Sequence, residues 1–415
     1  SEKQLSAWLY ERTGDEVPDM QKATISEMLK RDYPEEVHRM LEIRQQLKKT
    51  SMEKYTAMEI SKCQDDRIRG VTQFYGAGRT GRWAGRMVQM QNLPRNYIKT
   101  LDYARETVKK KNYNGLKLLY GNVKDTLSQL IRTTFIPSDG NKFVVADFSA
   151  IEARVIAWLA GEQWVNDVFA THGKIYEATA SQMFHVPIEK IVKGNPEYSL
   201  RQKGKVATLA LGYQGSTAAL IQMGALDMGL SEDELPDIVQ RWRDANPRIR
   251  DLWWKVQQAS VNCVQTAQPQ AIPHLLFALE GDLVYGQSFL TVQLPSGRKL
   301  FYPKPFISDD RFGRSTVYYY GLGKSKKWEA IGSYGGKMTE NIVQAIARDC
   351  LAELLKRIHA KNLQVVFHVH DEVIIDAPKH VTVDEICTLM AEPIPWAPGL
   401  VLKGAGFEGD YYMKD

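Results

Sequence analysis

Apolar residues recur at helical spacing from the start of the chain to about residue 62, for example at Val37, Met40 and Leu41. Because spacings of three and four residues place side chains on one face of a helix, this part is predicted to be a mostly helical lobe. Residues 70–94 break the pattern, since they are rich in Gly, Arg and Gln. That composition favours extended backbone lying close to a ligand.

The spacing of apolar residues changes from segment to segment in the rest of the chain. Residues 96–131 are predicted to form two polar helices with a break near residues 112–115, and residues 161–280 are predicted to be mainly helical. Residues 289–302 alternate in polarity around Pro295-Ser296-Gly297, which predicts a hairpin. Residues 337–359 predict a long helix whose apolar positions recur at Ile342, Ile346, Cys350, Leu354 and Ile358.

Two apolar runs of the buried-strand type lie next to acidic residues. Residues 143–146 are followed at once by Asp147. A helix is predicted directly afterwards, and its start carries Ser149 and Glu152 in the spacing of a capping box. Residues 364–369 and 373–375 predict two strands joined tightly around His370-Asp371-Glu372. The pattern therefore predicts acidic groups at rigid strand ends in two distant parts of the chain.

Composition narrows the class of protein. With 415 residues, of which 44% are hydrophobic, the chain can bury several cores and is predicted to be multi-lobed. The net charge of +5 suits a polyanionic partner, and basic residues cluster at 39–54, 67–95 and 109–111. Each cluster taken alone is more often a solvated helix face.

Cysteine usage and hydropathy exclude other classes. The four cysteines are too far apart for a zinc site or a disulfide framework, and they indicate a reducing, cytoplasmic setting. No apolar run approaches the roughly 18 residues that a membrane span needs. The chain is thus expected neither to bind a membrane nor to be secreted.

The paired acidic residues suggest metal chemistry. Two divalent cations roughly 3.5–4 Å apart need a dense cluster of carboxylates, and rigid strand ends can supply one. Asp147 and Asp371 are the candidates. Taken alone, each is more often an ordinary turn or cap residue.

Four motifs together resemble the family A DNA polymerases, the bacterial polymerase I kind. Residues 147–154, Asp-Phe-Ser-Ala-Ile-Glu-Ala-Arg, resemble the family's motif A, and residues 370–372 resemble motif C. Residues 201–213 match motif B, with an Arg, a Lys four residues later and a Tyr twelve after the Arg. Thr80-Gly81-Arg82 and residues 91–94 match the palm segment that touches the primer-template minor groove. Because order and spacing agree across nearly the whole chain, the joint match is highly specific.

The resemblance implies an α+β fold shaped like a right hand, with an antiparallel palm sheet backed by helices. We expect a partial thumb at residues 1–75, palm at 76–160 and 301–415, and fingers at 161–300. It also implies template-directed addition of dNTPs to a primer 3′ end by two-metal phosphoryl transfer. Asp147 and Asp371 would hold two Mg²⁺ ions, with Mn²⁺ able to substitute, and Glu372 would be a supporting carboxylate.

The resemblance, together with helical geometry, assigns the nucleotide site. At about 100° per residue, motif B places its key residues along one side of a helix, with cations at one end and an aromatic ring at the other. Arg201 and Lys205 would hold the triphosphate, and Lys205 is also a candidate general acid for the leaving pyrophosphate. Tyr213 would lie near the templating base. In the family, the residue matching Glu152 lies beneath the sugar and excludes a 2′ hydroxyl.

The resemblance also assigns contacts with primer-template DNA and identifies departures from the family pattern. The expected DNA contacts are Arg82, Gln91, Asn92, Asn341, Gln344 and His370. Leu209 stands where the family usually has Phe or Tyr, which leaves sugar selectivity open. Tyr176 stands where the family has a His that contacts the triphosphate, and its hydroxyl is expected to donate a hydrogen bond instead.

Other functions remain open at this level. A single-subunit RNA polymerase shares the general palm, and a catalytically silent DNA-binding fragment would carry the same motifs. The amino terminus resembles the middle of a family thumb, so we expect no 3′→5′ exonuclease and poor processivity in this chain. We expect a monomer, and the style of the sequence resembles phage or prophage replication enzymes.

Overall fold

The computed structural model describes residues 2–47, 52–282, 287–310, 312–323 and 325–414. The chain forms two compact units: the first comprises Ser1–Thr72, Gly85–Ile136 and Tyr411–Asp415, and the second comprises Gln73–Ala84 and Pro137–Asp410. Residues 85–136, which are predicted from the sequence to lie in the palm, belong to the first of these units. The predicted domain bounds stay predictions. The basic cluster at 39–54 includes residues 48–51, which lie outside the described residues.

The α-helices follow one another along the chain with these bounds: α1 Glu2–Thr13, α2 Lys22–Met28, α3 Glu35–Leu47, α4 Glu53–Ser61, α5 Leu101–Lys109, α6 Tyr113–Tyr120, α7 Val123–Leu130, α8 Ile151–Ala160, α9 Gln163–Ala170, α10 Ile175–Phe184, α11 Leu200–Leu211, α12 Thr217–Gln222, α13 Leu235–Ala245, α14 Pro247–Thr266, α15 Gly335–Ala360 and α16 Val383–Ala391. The strands are β1 Thr72–Ala77, β2 Arg82–Gly85, β3 Asn141–Phe148, β4 Gln270–Ile272, β5 Leu275–Asp282, β6 Gln287–Gln293, β7 Lys299–Pro303, β8 Phe306–Asp309, β9 Ser315–Leu322, β10 Trp328–Gly332, β11 Gln364–Val369, β12 Glu372–Pro378 and β13 Gly404–Gly409. None of the helices described is long and apolar enough to cross a membrane.

The first unit is built mainly from helices. Helices α1–α4 confirm the predicted helical lobe, and its core consists of Leu9, Met20, Ile25, Met28, Val37 and Leu41. Residues 101–130 form three helices rather than the predicted two. The additional break follows from Gly121, whose positive φ of 69° ends α6.

A buried arginine ties the first unit together. Arg132 donates hydrogen bonds to the carbonyls of Pro94 at 2.8 Å and Leu93 at 2.6 Å, and to the Tyr412 hydroxyl at 2.6 Å. These bonds satisfy the donors that burial would otherwise leave unpaired. They fix the chain directly after Gln91 and Asn92 against the carboxyl-terminal residues.

The second unit centres on an antiparallel sheet in the order β11-β12-β3-β13. Residues 143–146 of its inner strand β3 are all buried, as the continuous apolar run predicted. Strand β12 also follows the prediction and extends to Pro378. Helix α15 packs on β11 and α16 packs on β3 and β13, so the ends of β3 and β12 are held on a rigid support.

The described part of the second unit also contains two larger sheets, in the orders β4-β5-β6-β7 and β10-β9-β8, while β1 and β2 form a separate two-stranded sheet. The hairpin predicted at residues 289–302 is confirmed by β6 and β7. The helical prediction for residues 270–280 is wrong, because they form β4 and most of β5. Leu275 and Phe277 are buried while Leu276 between them is exposed, which is the two-residue period of a strand.

Candidate active site

Three acidic residues, Asp147, Asp371 and Glu372, lie at the ends of the central strands or in the turn between them. In the pairing of β3 with β12, Asp147 lies directly opposite Glu372. The backbone N–H of Phe148 donates to the carbonyl of Asp371 at 3.2 Å, which fixes the turn that carries Asp371 against the end of β3. Residues opposite each other in antiparallel strands have Cβ atoms about 5 Å apart and share a face. The structure thus brings together acidic residues separated by more than two hundred positions.

The tight turn between β11 and β12 depends on His370. Its φ of 56° is in the left-handed region, which reverses the chain between Val369 and Glu372. His370 itself is exposed, whereas Glu372 is only 3% exposed. Side-chain exposure is therefore compatible with the expected primer contact of His370, which stays a prediction.

Carboxylate oxygens are the donors that Mg²⁺ prefers, so Asp147 and Asp371 suit the predicted ions chemically. Within the described ranges, no three His, Cys, Asp or Glu side chains are arranged as a metal site. The strand register and the donor chemistry are what support a metal pair here. The assignment of two Mg²⁺ ions to these aspartates stays a prediction.

Glu152 joins two distant residues instead of capping its helix. Arg82 donates to Glu152 Oε1 at 2.8 Å, and the Tyr213 hydroxyl donates to Glu152 Oε2 at 2.7 Å. Burial, followed by the charge of Glu152, raises the pKa of Tyr213 well above its usual value. The predicted capping box is wrong, because α8 begins after Ala150, which has a φ of 52°, and no side chain caps it.

Arg154 anchors the helix that carries Glu152. Its guanidinium donates to the Ser149 carbonyl at 2.7 Å and to the Val401 carbonyl at 3.0 Å, and it lies over the Phe169 ring. Burial lowers the pKa of Arg154 to about 10. These contacts brace the amino-terminal end of α8.

Motif B forms helix α11, with one correction. Arg201, Lys205 and Leu209 lie on α11, but the helix ends at Leu211 and Tyr213 lies in the turn beyond it. Its hydroxyl turns to Glu152, as described above. Lys205 has no ion-pair partner in the described part of the chain, and Leu209 is 47% exposed.

Arg201 is held by two residues of α10. Its Nε donates to Glu177 Oε1 at 2.7 Å, and its guanidinium carbon lies 5.4 Å from the centre of the Tyr176 ring. The hydrogen bond to Glu177 raises the pKa of Arg201. Tyr176 is predicted to contact the triphosphate through its hydroxyl. In the structure its ring lies against Arg201, which is also predicted to bind the triphosphate.

On α15 the structure corrects one predicted DNA contact. Asn341 is 4% exposed and donates to the Tyr302 hydroxyl at 3.2 Å. A buried amide with an internal partner does not face a duplex, so Asn341 is a packing residue. Gln344 is partly exposed and donates to Glu340 at 3.4 Å, and Glu340 also accepts from Lys337 at 2.8 Å.

Sequence reasoning missed a buried cluster behind Arg82. Arg348 donates to the Gly81 carbonyl at 3.1 Å and lies 4.2 Å from the Trp83 ring centre. His368 contacts the other side of the cluster, with its ring 4.7 Å from that of Trp83. Burial, followed by the charge of Arg348, lowers the pKa of His368 to about 4. Trp83 could have indicated this cluster, because a large aromatic residue is unexpected in an extended segment that only contacts a ligand.

Gln91 and Asn92 belong to the first unit, in the short 3₁₀ helix Met90–Asn92. Asn92 is exposed and donates to Gln89 at 2.9 Å. Gln91 packs against Gly85, where any added Cβ would lie 2.1 Å from its Oε1 atom. Their DNA contacts stay predictions.

Comparisons with known proteins agree with this arrangement. The profile of the family described as DNA polymerase family A matches residues 1–268. A DNA polymerase of Bacillus phage SP02 is 54% identical over 417 residues, an alignment that covers 100% of this chain and 63% of that protein. The thermostable DNA polymerase I of Thermus aquaticus is 24% identical over 262 residues, covering 62% of this chain and 25% of that protein.

A solved structure is similar over almost the full length. It is the POL domain of Pol1 from M. smegmatis in complex with DNA primer-template and dNTP, with a TM-score of 0.62 and 18% identity over 99% of this chain and 60% of that one. The chain therefore spans less than two thirds of the length of these relatives.

Proposed function

The chain belongs to DNA polymerase family A, and from this premise we propose that it is a template-directed DNA polymerase that adds dNTPs to a primer 3′ end. The predicted α+β right-hand fold is confirmed by the likeness to a polymerase domain. One observation carries the proposal: the register of β3 against β12 places Asp147 opposite Glu372, and the backbone N–H of Phe148 donates to the carbonyl of Asp371. Acidic groups at these strand ends would supply the negative charge that phosphoryl transfer needs.

Asp147 and Asp371 would hold two Mg²⁺ ions, or Mn²⁺ in their place. When bound, such ions activate the primer hydroxyl and neutralise charge on the triphosphate. Glu372 contributes a further negative charge from the adjacent strand position. The protein's part is then largely positioning, and the buried strands β3 and β12 are rigid enough to provide it.

The incoming nucleotide is proposed to bind along α11 and the start of α8. Arg201 and Lys205 would hold the triphosphate, with Lys205 placed to donate a proton to the leaving pyrophosphate. Tyr213 and Leu209 would line the base and sugar end of the site. Glu152 would lie beneath the sugar, oriented by the bonds from Arg82 and Tyr213.

Primer-template DNA is the proposed partner. Arg82, Gln344, His370, Gln91 and Asn92 carry donors suited to the duplex, and Arg348 supports the backbone next to Arg82. The same proposal includes action as a monomer in the cytoplasm of a bacterial or phage-infected cell.

Extension of a labelled primer on a defined template tests the proposal. The wild-type chain is incubated with Mg²⁺ and either dNTPs or NTPs, and products are resolved at single-nucleotide length. Extension with dNTPs supports the proposal. Binding without extension would identify a silent DNA-binding fragment, and efficient extension with NTPs would identify an RNA polymerase.

Glu152→Ala is expected to weaken sugar discrimination. Without the carboxylate, the space proposed to lie beneath the sugar would open, and Arg82 and Tyr213 would lose their shared acceptor. We expect the ratio of kcat/KM for NTP to kcat/KM for dNTP to rise by about tenfold or more. Glu152→Gln keeps one acceptor and most of the volume, so its ratio should change less. Equal ratios for wild type and Glu152→Ala would contradict the assigned role.

A further inference from the structure

The contact between Arg201 and Glu177 leaves one edge of the guanidinium open. Arg201 uses its Nε to donate to Glu177 at 2.7 Å, and no other residue in the described ranges accepts a hydrogen bond from its terminal nitrogens. A guanidinium has five N–H groups, so the two terminal nitrogens retain four donors. That pair of nitrogens is the edge that binds a phosphate with two parallel hydrogen bonds.

The two side chains of this ion pair differ in how deeply they are buried. The Glu177 side chain is 17% exposed and that of Arg201 is 30% exposed, so the carboxylate lies inside and the arginine extends toward solvent. The Tyr176 ring covers a face of the guanidinium, with 5.4 Å between the ring centre and the guanidinium carbon. The arginine is thus held on one edge and one face.

The supporting helices cannot easily move apart or together at this point. Tyr176 and Glu177 lie in the first turn of α10, and Arg201 lies in the first turn of α11. Gly204 allows the close crossing, because a Cβ there would lie 2.2 Å from the Tyr176 carbonyl oxygen. The backbone that carries Glu177 is therefore fixed relative to the helix that carries Arg201.

We propose that Glu177 is a positioning residue for nucleotide binding, which anchors Arg201 through Nε so that its terminal nitrogens face the triphosphate. Tyr176 contributes its ring as a platform rather than its hydroxyl as a phosphate donor. This inference rests on the proposed polymerase function and names a residue that the motifs did not identify. Tyr176 stands where the family has a His that contacts the triphosphate, and here it would support Arg201 instead of contacting the triphosphate itself.

The alternative is competition, in which Glu177 masks the charge of Arg201 and must release it before a nucleotide binds. The two roles have opposite consequences. If Glu177 anchors Arg201, its loss frees the side chain and weakens nucleotide binding. If Glu177 competes, its loss strengthens nucleotide binding.

The test measures the Kd of the complementary dNTP for the protein bound to a dideoxy-terminated primer-template, together with kcat and KM on an extendable primer. Glu177→Ala should raise the dNTP Kd by about tenfold, or ~1.4 kcal/mol, with a smaller change in kcat. Glu177→Gln keeps an oxygen acceptor for Nε and should recover most of that loss. Tyr176→Phe, which keeps the ring, should lose less affinity than Tyr176→Ala.

Glu189→Ala is the matched control, since it removes the same charge from an exposed position just after α10. It should leave the dNTP Kd unchanged. An unchanged or lowered Kd in Glu177→Ala would overturn the proposal, as would equal losses in Glu177→Ala and Glu177→Gln. Failure of the wild-type chain to extend a primer would refute the polymerase function itself, whereas wild-type extension with an unaltered Glu177→Ala would refute only the role of Glu177.

Discussion

Asp147→Ala and Asp371→Ala are each expected to slow primer extension by at least about a thousandfold, equivalent to ~4 kcal/mol of transition-state stabilisation. Asp147 ends β3 opposite Glu372, and Asp371 is tied to the same strand end by the bond from Phe148, so either loss would remove charge that the proposed divalent ions require. Single-turnover extension on a labelled primer measures the effect. Chelation of the divalent ions with EDTA should stop the wild-type reaction in the same assay.

Glu408→Gln provides a control on the same sheet. Glu408 lies on β13, where it is exposed and pairs with Lys142 away from the ends of β3 and β12 that carry the cluster. Its rate should stay within about twofold of the wild type, since surface pairs contribute little. A rate for Asp147→Ala within tenfold of the wild type, with primer-template binding retained, would contradict the assignment of the metal site.

Gly204→Ala is expected to lower the free energy of unfolding by roughly 3 kcal/mol. The added Cβ would lie 2.2 Å from the Tyr176 carbonyl oxygen and 2.9 Å from the Ala180 nitrogen, and both are backbone atoms that cannot turn aside. The helices α10 and α11 would have to separate. Thermal unfolding followed by circular dichroism should show a lower melting temperature, and the dNTP Kd should rise because Arg201 moves away from Glu177.

Gly212→Ala is the matched control at the other end of α11. A Cβ at Gly212 would meet only Ile156 at 4.0 Å, and the backbone there is already helical with a φ of −56°. Alanine is therefore tolerated sterically and favoured by helix propensity. Equal melting temperatures for Gly204→Ala and Gly212→Ala would show that the close crossing does not constrain the helices.

The strands that carry the acidic cluster could be predicted because their signals are local. The apolar run before Asp147 and the paired runs around Asp371 need only burial and a tight turn to become strands. Their pairing, however, was inferred from the family resemblance, since no local pattern encodes which strand lies beside which. The structure confirms it through the register of Asp147 with Glu372.

The incorrect predictions for Glu152 and Asn341 arose because contacts with residues distant in the sequence determine where these side chains point. Ser149 and Glu152 have capping spacing, but hydrogen bonds from Arg82 and Tyr213 take the carboxylate instead. Asn341 and Glu340 are adjacent, so they point about 100° apart on α15, and the sequence alone could not tell which faces inward. The Tyr302 hydroxyl, from a distant hairpin, determines that Asn341 does.

Glu177 was missed for a similar reason. In the sequence it is one acid at the start of a helix, where a negative charge is commonly found because it interacts favourably with the helix dipole. Its importance depends on Arg201, twenty-four residues later, and on the close crossing at Gly204. Only packing of α10 on α11 reveals that the acid and the arginine form a pair.

Template-directed incorporation by the wild-type chain and by Asp371→Ala tests the proposed polymerase activity and its acidic site together. A single labelled primer is annealed to four templates that differ only in the first unpaired base, and each of the four dNTPs is supplied separately with Mg²⁺. We predict that the wild-type chain adds only the complementary nucleotide on each template and that Asp371→Ala adds none on the same timescale. Addition that ignores the template base would contradict template-directed synthesis, and addition that survives in Asp371→Ala would contradict the role of Asp371 in catalysis.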